Sequence, residues 1–183
     1  MTGSVPSIAA RMRSFQTARL DAKPLRFDDF AELCVMHKDA RVMAALGGVR
    51  TDEMTEDYIR ANDAHWDRYG FGIWALRDKH GKFAGRSGLR HIAIAGVDEV
   101  ELGYSFAHEF WGKGLATEIA KAVIDKGFNS YGLSNIIAFT LVHHIASRNV
   151  MEKLGFRFEA DRQIKGELCA VYRLHRKQDA GTT

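Results

Sequence analysis

The stretch Glu101-Leu-Gly-Tyr-Ser-Phe-Ala-His-Glu-Phe-Trp-Gly-Lys-Gly-Leu-Ala-Thr-Glu118 decides how this 183-residue chain is interpreted. Its first part is typical of a strand, and a helix is predicted to begin near Leu115, after the turn that contains Gly112 and Gly114. Glycine lets a backbone approach a ligand closely, and the first turn of a helix presents N–H groups without intrahelical acceptors. The junction therefore predicts an anion site that suits a pyrophosphate.

Two common phosphate loops do not fit these glycines. Gly112-Lys113-Gly114 lacks the Ser or Thr that follows Lys in a P-loop, and Gly112-x-Gly114-x-x-Thr117 lacks the third glycine of a dinucleotide fingerprint. Taken alone, the loop fits a tight strand-to-helix connection that binds nothing as well as it fits an anion site.

The loop and two further segments of the chain together resemble one protein family. Trp111-Gly112-Lys113-Gly114-Leu115-Ala116 resembles the [Gln/Arg]-x-x-Gly-x-[Gly/Ala] loop by which GNAT superfamily N-acetyltransferases hold the pyrophosphate of acetyl-CoA, with Trp111 where Gln or Arg is usual. His144-Ile-Ala-Ser-Arg-Asn-Val-Met-Glu-Lys-Leu-Gly-Phe156 resembles the second signature, Asn-x-x-Ser-x-x-Val-x-x-Lys-Leu-Gly-Phe. The segment Thr17-Ala-Arg19-Leu20 and the sequence of the loop resemble those of one branch of the superfamily, the ribosomal-protein N-terminal (alanine/serine) acetyltransferases.

The resemblance implies an α/β (α+β) fold, a single domain with a mixed, twisted central sheet and helices on both faces. We expect an N-acetyltransferase domain at residues 17–174, a flexible leader at 1–16 and a flexible tail at 175–183. The residue patterns predict a first strand at Thr17–Leu20, a helix from Thr51 to Gly70 and a hairpin over residues 71–94. In the second signature, Ser147 is predicted to cap a short helix.

Composition limits the classes of partner. The net charge is +3, and Lys and Arg are scattered, which argues against a nucleic-acid ligand. No apolar run approaches the roughly 20 residues of a membrane span, so we expect no membrane partner. Cys34 and Cys169 have no metal or redox spacing, which favours thiols in a cytoplasmic protein. His143 and His144 are adjacent and point to opposite faces of a strand, so no metal site is predicted.

The resemblance assigns the residues that bind acetyl-CoA. Backbone N–H groups near Tyr104 and Ser105 would bind the thioester carbonyl. His144 replaces the Asn that contacts the pantetheine arm, and an imidazole is able to donate one hydrogen bond there. The full predicted set is Tyr104, Ser105, Trp111, Gly112, Lys113, Gly114, Leu115, Ala116, Thr117, His144 and Ser147.

Acetyl transfer from a thioester to an amine needs a base, a stabilised oxyanion and a proton for the departing thiolate. Glu101 is the first candidate base and Glu167 the second, although a structural carboxylate, exposed or paired across strands, explains each equally well. Ser147 is the first candidate proton donor, with Tyr172 and Tyr131 as alternatives. No nucleophilic triad is evident, so we expect direct attack without an acyl-enzyme.

The acceptor amine is less clearly encoded. A terminal α-amine has a pKa of about 7.7–8 against about 10.4 for Lys, so it deprotonates more readily at neutral pH. The resemblance thus favours a protein or peptide N-terminus, with a small amine such as an amino acid, polyamine or drug as the alternative. A CoA-binding or sensing module without turnover is a further alternative, for which His144 is the main hint. A homodimer is left open.

Overall fold

The computed structural model describes residues 13–177. The strands are β1 (Phe15–Gln16), β2 (Leu20–Pro24), β3 (Ile73–Asp78), β4 (Phe83–Ile94), β5 (Val97–Phe106), β6 (Asn135–Leu141), β7 (Arg157–Ile164) and β8 (Glu167–His175). The α-helices are α1 (Phe30–Lys38), α2 (Ala40–Met43), α3 (Asp52–Tyr69), α4 (Leu115–Asn129) and α5 (Ile145–Lys153). Among the helices of this region, none has the length and apolar content that a membrane span requires.

The strands form an eight-stranded sheet in the order β1-β2-β3-β4-β5-β6-β8-β7. β5 and β6 are parallel, with Glu101 opposite Ile137, and α4 supplies the crossover that a parallel pair requires. The pairs β1–β2, β2–β3, β3–β4, β6–β8 and β7–β8 are antiparallel. The predicted single α/β domain with a mixed sheet is confirmed.

Within the described residues the chain divides into two compact units, and the boundaries fall inside β4, inside β5 and after the first residue of α4. The first unit contains residues 13–88 and 104–115, and the second contains residues 89–103 and 116–177. The first unit has a core of nine buried residues: Leu25, Leu33, Met36, Val42, Met43, Ile59, Ile73, Ala75 and Phe83. A core cluster in the second unit consists of Ile94, Ile137, Ile164, Cys169 and Val171.

Helix α3 has the ends that the sequence predicts. The Thr51 hydroxyl accepts a hydrogen bond from the Met54 N–H at 3.2 Å, which makes Thr51 the N-cap. At the other end Gly70 adopts a left-handed φ of 74° and stops the helix. Asn62 then joins α3 to β3, because its side-chain oxygen accepts from the Ile73 N–H at 2.7 Å.

The predicted first strand at Thr17–Leu20 is wrong. Residues 17–19 form the bend between β1 and β2, where the Thr17 N–H donates to the Leu20 carbonyl at 2.8 Å and the Leu20 N–H donates to the Thr17 hydroxyl at 3.1 Å. Thr favours such local bonds, which compete with the strand ladder. β1 lies within the expected leader, and β8 extends to His175. The expectations for residues 1–12 and 178–183 lie outside the described residues.

His37, on α1, is buried and held in a defined tautomer. The Thr55 hydroxyl donates its one hydrogen to the Thr51 carbonyl at 3.0 Å, so it accepts from the Nδ1–H of His37 at 2.9 Å. Burial lowers the pKa of His37 from 6.5 to about 3, with further lowering by the positive charges of Arg86 and Arg50. The imidazole is therefore neutral in the folded protein.

The low pKa of His37 predicts an acid-sensitive fold. As the pH falls from 6.5 towards 3, the unfolded chain binds a proton at His37 that the folded chain does not bind, so stability is lost. This one residue should contribute a slope of about 1.4 kcal/mol per pH unit to the free energy of unfolding. Urea unfolding of the wild-type protein and His37→Gln at several pH values checks this. Equal slopes for the two proteins would contradict the prediction.

Candidate active site

The glycine loop has the geometry of an anion site. Gly112 and Gly114 have φ angles of 73° and 74°, a conformation that residues with a Cβ rarely adopt. Helix α4 begins at Leu115, directly after Gly114. A Cβ added at Gly112 would have no heavy atom within 4 Å, so the space above this residue is open. The loop thus combines two left-handed glycines with the start of a helix and has open space at Gly112.

Arg19 lies against the same loop, which sequence reasoning missed. Its Nη1 donates to the Lys113 carbonyl at 2.7 Å, and its Nη2 would lie 3.7 Å from a Cβ added at Gly114. The two residues are 94 positions apart, so no local pattern connects them. The one available signal was the segment Thr17-Ala-Arg19-Leu20, which resembles the same branch but assigns no role to Arg19. A guanidinium beside the loop adds a fixed positive charge.

Trp111, in the position where the family usually has Gln or Arg, anchors the loop to β5. Its Nε1–H donates to the Phe106 carbonyl at 2.8 Å, while 47% of the residue remains exposed. Lys113 extends over the Phe110 ring, with its ammonium 5.3 Å from the ring centre. The indole therefore holds the loop in place with its only donor.

Tyr104 and Ser105 lie where β5 comes close to β4. A Cβ added at Gly85 would be 2.2 Å from the Ser105 carbonyl oxygen, so the two backbones approach too closely for a side chain there. The β3–β4 register shifts beside this glycine, between Leu76 and Arg77. The structure shows a backbone approach next to a bulge.

Glu101 is buried in the second unit and ion-paired. It is 6% exposed, and its Oε2 accepts from the Arg90 Nε–H at 2.7 Å. This is the paired structural carboxylate that the sequence left as an equal alternative to the catalytic base. Acting as a base would require Glu101 to take a proton beside a guanidinium, so the role stays a prediction.

Glu167 begins β8 and is exposed. The negative charges of both candidate bases affect the pKa of one further residue, the buried Cys169. Burial raises the pKa of the Cys169 thiol, and the negative charges of Glu167 and Glu101 raise it further. The two carboxylates therefore share one neighbourhood in the second unit. A thiol with a raised pKa is a poor nucleophile, which agrees with the expected absence of an acyl-enzyme.

Ser147 is not the N-cap of its helix, so that prediction is wrong. Helix α5 begins at Ile145 with His144 as the N-cap, which places Ser147 in the first turn. The His144 ring forms a hydrogen bond with a residue of β6, since its Nδ1 lies 3.0 Å from the Thr140 hydroxyl. Burial lowers the pKa of His144, and the neighbouring His143 lowers it further. The ring is therefore neutral, and Nε2 is its remaining nitrogen for the predicted pantetheine contact.

Tyr172, the alternative proton donor, is 1% exposed and has a structural role. Its hydroxyl donates to Glu152 Oε1 and accepts from the Arg148 Nε–H, both at 2.9 Å. Burial raises the pKa of Tyr172. These bonds join β8 to α5 and engage the hydroxyl hydrogen. Tyr131, the other alternative, is half-buried in the segment after α4.

Ser147→Ala is expected to lower turnover by about 100-fold, the lower end of the range for general acid catalysis, and to leave CoA affinity nearly unchanged. The melting temperature should change little, because Ser147 is not the cap and Ala is the better helix former. Turnover, CoA affinity and melting temperature measured on one preparation check this, with the exposed Ser130→Ala as control. Unchanged turnover would remove Ser147 from the mechanism.

Metal ligands are not assembled in residues 13–177, where no group of three or more His, Cys, Asp or Glu side chains is placed to hold a metal ion. This finding applies to the adjacent pair His143 and His144 as well.

Comparisons with known proteins identify the family. Residues 19–157 match the model of the acetyltransferase (GNAT) domain. A Bacillus subtilis relative described as uncharacterized protein YkkB is 30% identical over 139 residues, which cover 75% of this chain and 81% of the relative. The chain belongs to the GNAT family of acetyltransferases. It is an acetyl-CoA-dependent N-acetyltransferase.

Two solved structures share the fold and were solved with CoA. RimL, a ribosomal-protein α-N-acetyltransferase, superposes with a TM-score of 0.75 at 15% identity, covering 88% of this chain and 97% of RimL. The spermidine N-acetyltransferase of Vibrio cholerae, in complex with CoA and spermine, superposes with a TM-score of 0.68 at 19% identity, covering 84% of this chain and 92% of that enzyme. One acts on a protein and the other is named for a polyamine, so these neighbours do not define the acceptor.

Proposed function

We propose that the protein transfers the acetyl group of acetyl-CoA directly to a primary α-amine, free or at a peptide N-terminus. The observation that carries the proposal is the loop at Gly112 and Gly114, where two left-handed residues precede the N-terminus of α4. That geometry fits a pyrophosphate, because backbone N–H groups and a helix N-terminus favour negative charge.

Arg19 extends this proposed role of the loop. Its guanidinium already bonds the Lys113 carbonyl, so it is fixed beside the N–H groups that would receive a phosphate. A guanidinium is planar and carries several N–H donors, and its bond to the Lys113 carbonyl fixes its orientation beside the loop. We assign Arg19 to the pyrophosphate together with the backbone of residues 112–117, whereas Trp111 positions the loop.

The amine must lose a proton before its nitrogen attacks the thioester carbonyl. Glu101 is the proposed base, acting directly or through a water, and Arg90 fixes the orientation of its carboxylate. Glu167 is the alternative and is exposed. The nitrogen–carbon bond forms first and places negative charge on the carbonyl oxygen, and the amine proton passes to the carboxylate. The carbonyl then re-forms as the carbon–sulfur bond breaks and the thiolate departs.

The remaining steps concern the oxyanion and the thiolate. The N–H groups of Tyr104 and Ser105 are assigned to the carbonyl oxygen as negative charge develops on it. Ser147 is assigned as the donor of a proton to the departing sulfur, since the hydroxyl of Tyr172 already donates to Glu152. His144 is assigned to the pantetheine arm through Nε2, because its Nδ1 is bonded to Thr140.

The chemistry favours an α-amine, which deprotonates at lower pH than a Lys side chain. A small-molecule amine remains the second candidate, because the structural neighbours include both a ribosomal-protein α-N-acetyltransferase and a spermidine N-acetyltransferase. The CoA-sensing alternative predicts binding of CoA without turnover.

The deciding experiment measures thiol release from acetyl-CoA with a panel of free amino acids, polyamines and peptides with different N-termini. Mass spectrometry of the products identifies the acetylated nitrogen, and a reaction without amine corrects for hydrolysis. Turnover with any amine excludes the sensing module. Tight CoA binding with no turnover across the panel would overturn the proposed function.

A further inference from the structure

Three buried polar atoms of the first unit have no hydrogen-bond partner among the described residues: His37 Nε2, the Tyr58 hydroxyl and Arg86 Nε. They come from α1, α3 and β4, and their side chains lie together. The His37 and Tyr58 rings meet edge to face with centroids 5.5 Å apart. The guanidinium carbon of Arg86 lies 4.8 Å from the centre of the Tyr58 ring. We call these three residues the buried polar cluster.

Arg86 is the unusual member, because it is a buried cation without a counter-ion. It is 7% exposed, and no carboxylate in residues 13–177 forms an ion pair with it. Its face contact with the Tyr58 ring offsets only part of the desolvation of a charge. A guanidinium stays protonated in proteins, so this site lacks a negative charge.

The surroundings of Arg86 add donors and positive charge. Arg50 also lies over the Tyr58 ring, with its guanidinium carbon 5.1 Å from the ring centre. His37 is neutral and bonded through Nδ1 to Thr55, so it adds no charge to the cluster. Its Nε2 lone pair is left for a water or a ligand N–H or O–H group. The cluster therefore offers an anion two donors, Arg86 Nε–H and the Tyr58 hydroxyl.

The position of the cluster connects it to acetyl transfer. Arg86 directly follows Gly85, the residue that lies against the Ser105 backbone. Tyr104 and Ser105 are the residues proposed to bind the thioester carbonyl. Arg86 is thus one residue along β4 from the point where that strand meets Ser105.

Resting on the proposed function, we infer that Arg86 and Tyr58 bind the carboxylate of a small acceptor, so that the acceptor is a free amino acid or a similar amine-bearing carboxylic acid. A carboxylate carries one negative charge, which pairs with the buried guanidinium of Arg86. A guanidinium and a phenol also match the two oxygens of a carboxylate. The carboxylate supplies the counter-ion that Arg86 lacks.

The test compares acceptors that differ in the carboxylate alone. Glycine, L-serine, L-methionine and L-phenylalanine are assayed with acetyl-CoA, each as the free acid and as the amide. The amides have the more readily deprotonated amine, so intrinsic reactivity favours them. A higher kcat/KM for the free acids supports the inference, and equal or lower values for every free acid overturn it.

Arg86→Met is expected to lower kcat/KM for the free acids by roughly 10- to 100-fold, the effect of one charge-assisted hydrogen bond, and to leave the amides nearly unchanged. Tyr58→Phe should act in the same direction with a smaller effect. Arg60→Met, on the exposed side of α3 beside Glu56, is the matched control and should change neither class. A structural role for Arg86 would instead lower both classes equally and reduce the melting temperature.

A binding measurement separates failure of the inference from failure of the proposed function. N-acetyl-L-serine, which has a carboxylate but no reactive amine, should raise the melting temperature of the wild-type protein and not of Arg86→Met or Tyr58→Phe. If no amine is acetylated and this shift is present, the proposed function fails and the anion site stands. If amines are acetylated without carboxylate preference and the shift is absent, water alone occupies the cluster and the inference fails.

Discussion

Gly114→Val is expected to reduce CoA affinity by about 100-fold or more, since several charge-assisted bonds from the loop to the pyrophosphate would be lost together. Gly114 has a φ of 74°, and a β-branched residue is strongly disfavoured there. Space is not the obstacle, because the nearest heavy atom to an added Cβ is Arg19 Nη2 at 3.7 Å. The substitution therefore acts by redirecting the N–H groups of the loop. Calorimetric titration with CoA measures the loss.

A second glycine gives the matched control for this prediction. Gly132, in the segment after α4, has a φ of 68°, and a Cβ added there would have no heavy atom within 4 Å. Gly132→Val imposes the same kind of backbone strain outside the loop. It should lower the melting temperature about as much as Gly114→Val while leaving CoA affinity intact. Unchanged affinity in a folded Gly114→Val protein would place the pyrophosphate elsewhere.

Glu101→Gln is expected to lower the rate of acetyl transfer by about 100-fold or more at neutral pH, within the range for loss of a general base. The activity should recover in part at alkaline pH, where the amine loses its proton unaided. The fold should be retained, because a carboxamide oxygen is still able to accept the bond from Arg90 Nε. Rates across a pH series with the best amine of the panel check the prediction.

The same strand provides the control for Glu101. Glu99 also belongs to β5 and is also ion-paired, with its Oε1 2.7 Å from Arg173 Nη2. Glu99→Gln removes a salt-bridged carboxylate two residues away and should leave the pH profile unaltered. Glu167→Gln tests the competing base in the same assay. A Glu101→Gln enzyme with the wild-type rate and profile would leave Glu167 or a water as the proton acceptor.

The elements that sequence predicted well depend on residues adjacent in the chain. The Thr51 cap, the Gly70 stop and the start of α4 at Leu115 appear where the pattern placed them. Caps and left-handed glycines act within a turn, so neighbouring residues define them. The strand predicted at Thr17–Leu20 failed for a related reason, because the Thr17 hydroxyl bonds the backbone locally.

The predicted N-cap at Ser147 shows where local preference is overridden. His144, which is a weaker capping residue, precedes the first turn because its ring is bonded to Thr140 at the end of β6. That bond fixes the chain three residues before the preferred cap. A single cap is worth about 1 kcal/mol, so one tertiary contact is enough to shift the start of a helix.

The sequence by itself determined the family, the mixed sheet and the glycine loop, because these follow from local backbone preferences and from the order of two signatures. Tertiary structure alone decided which side chains meet: Arg19 with Lys113, Arg90 with Glu101, and His37 with Tyr58 and Arg86. Strand pairing and helix packing bring these residues together, and burial then keeps His37 neutral. For that reason the loop was predictable from its residues, whereas the buried polar cluster became visible only in the folded chain.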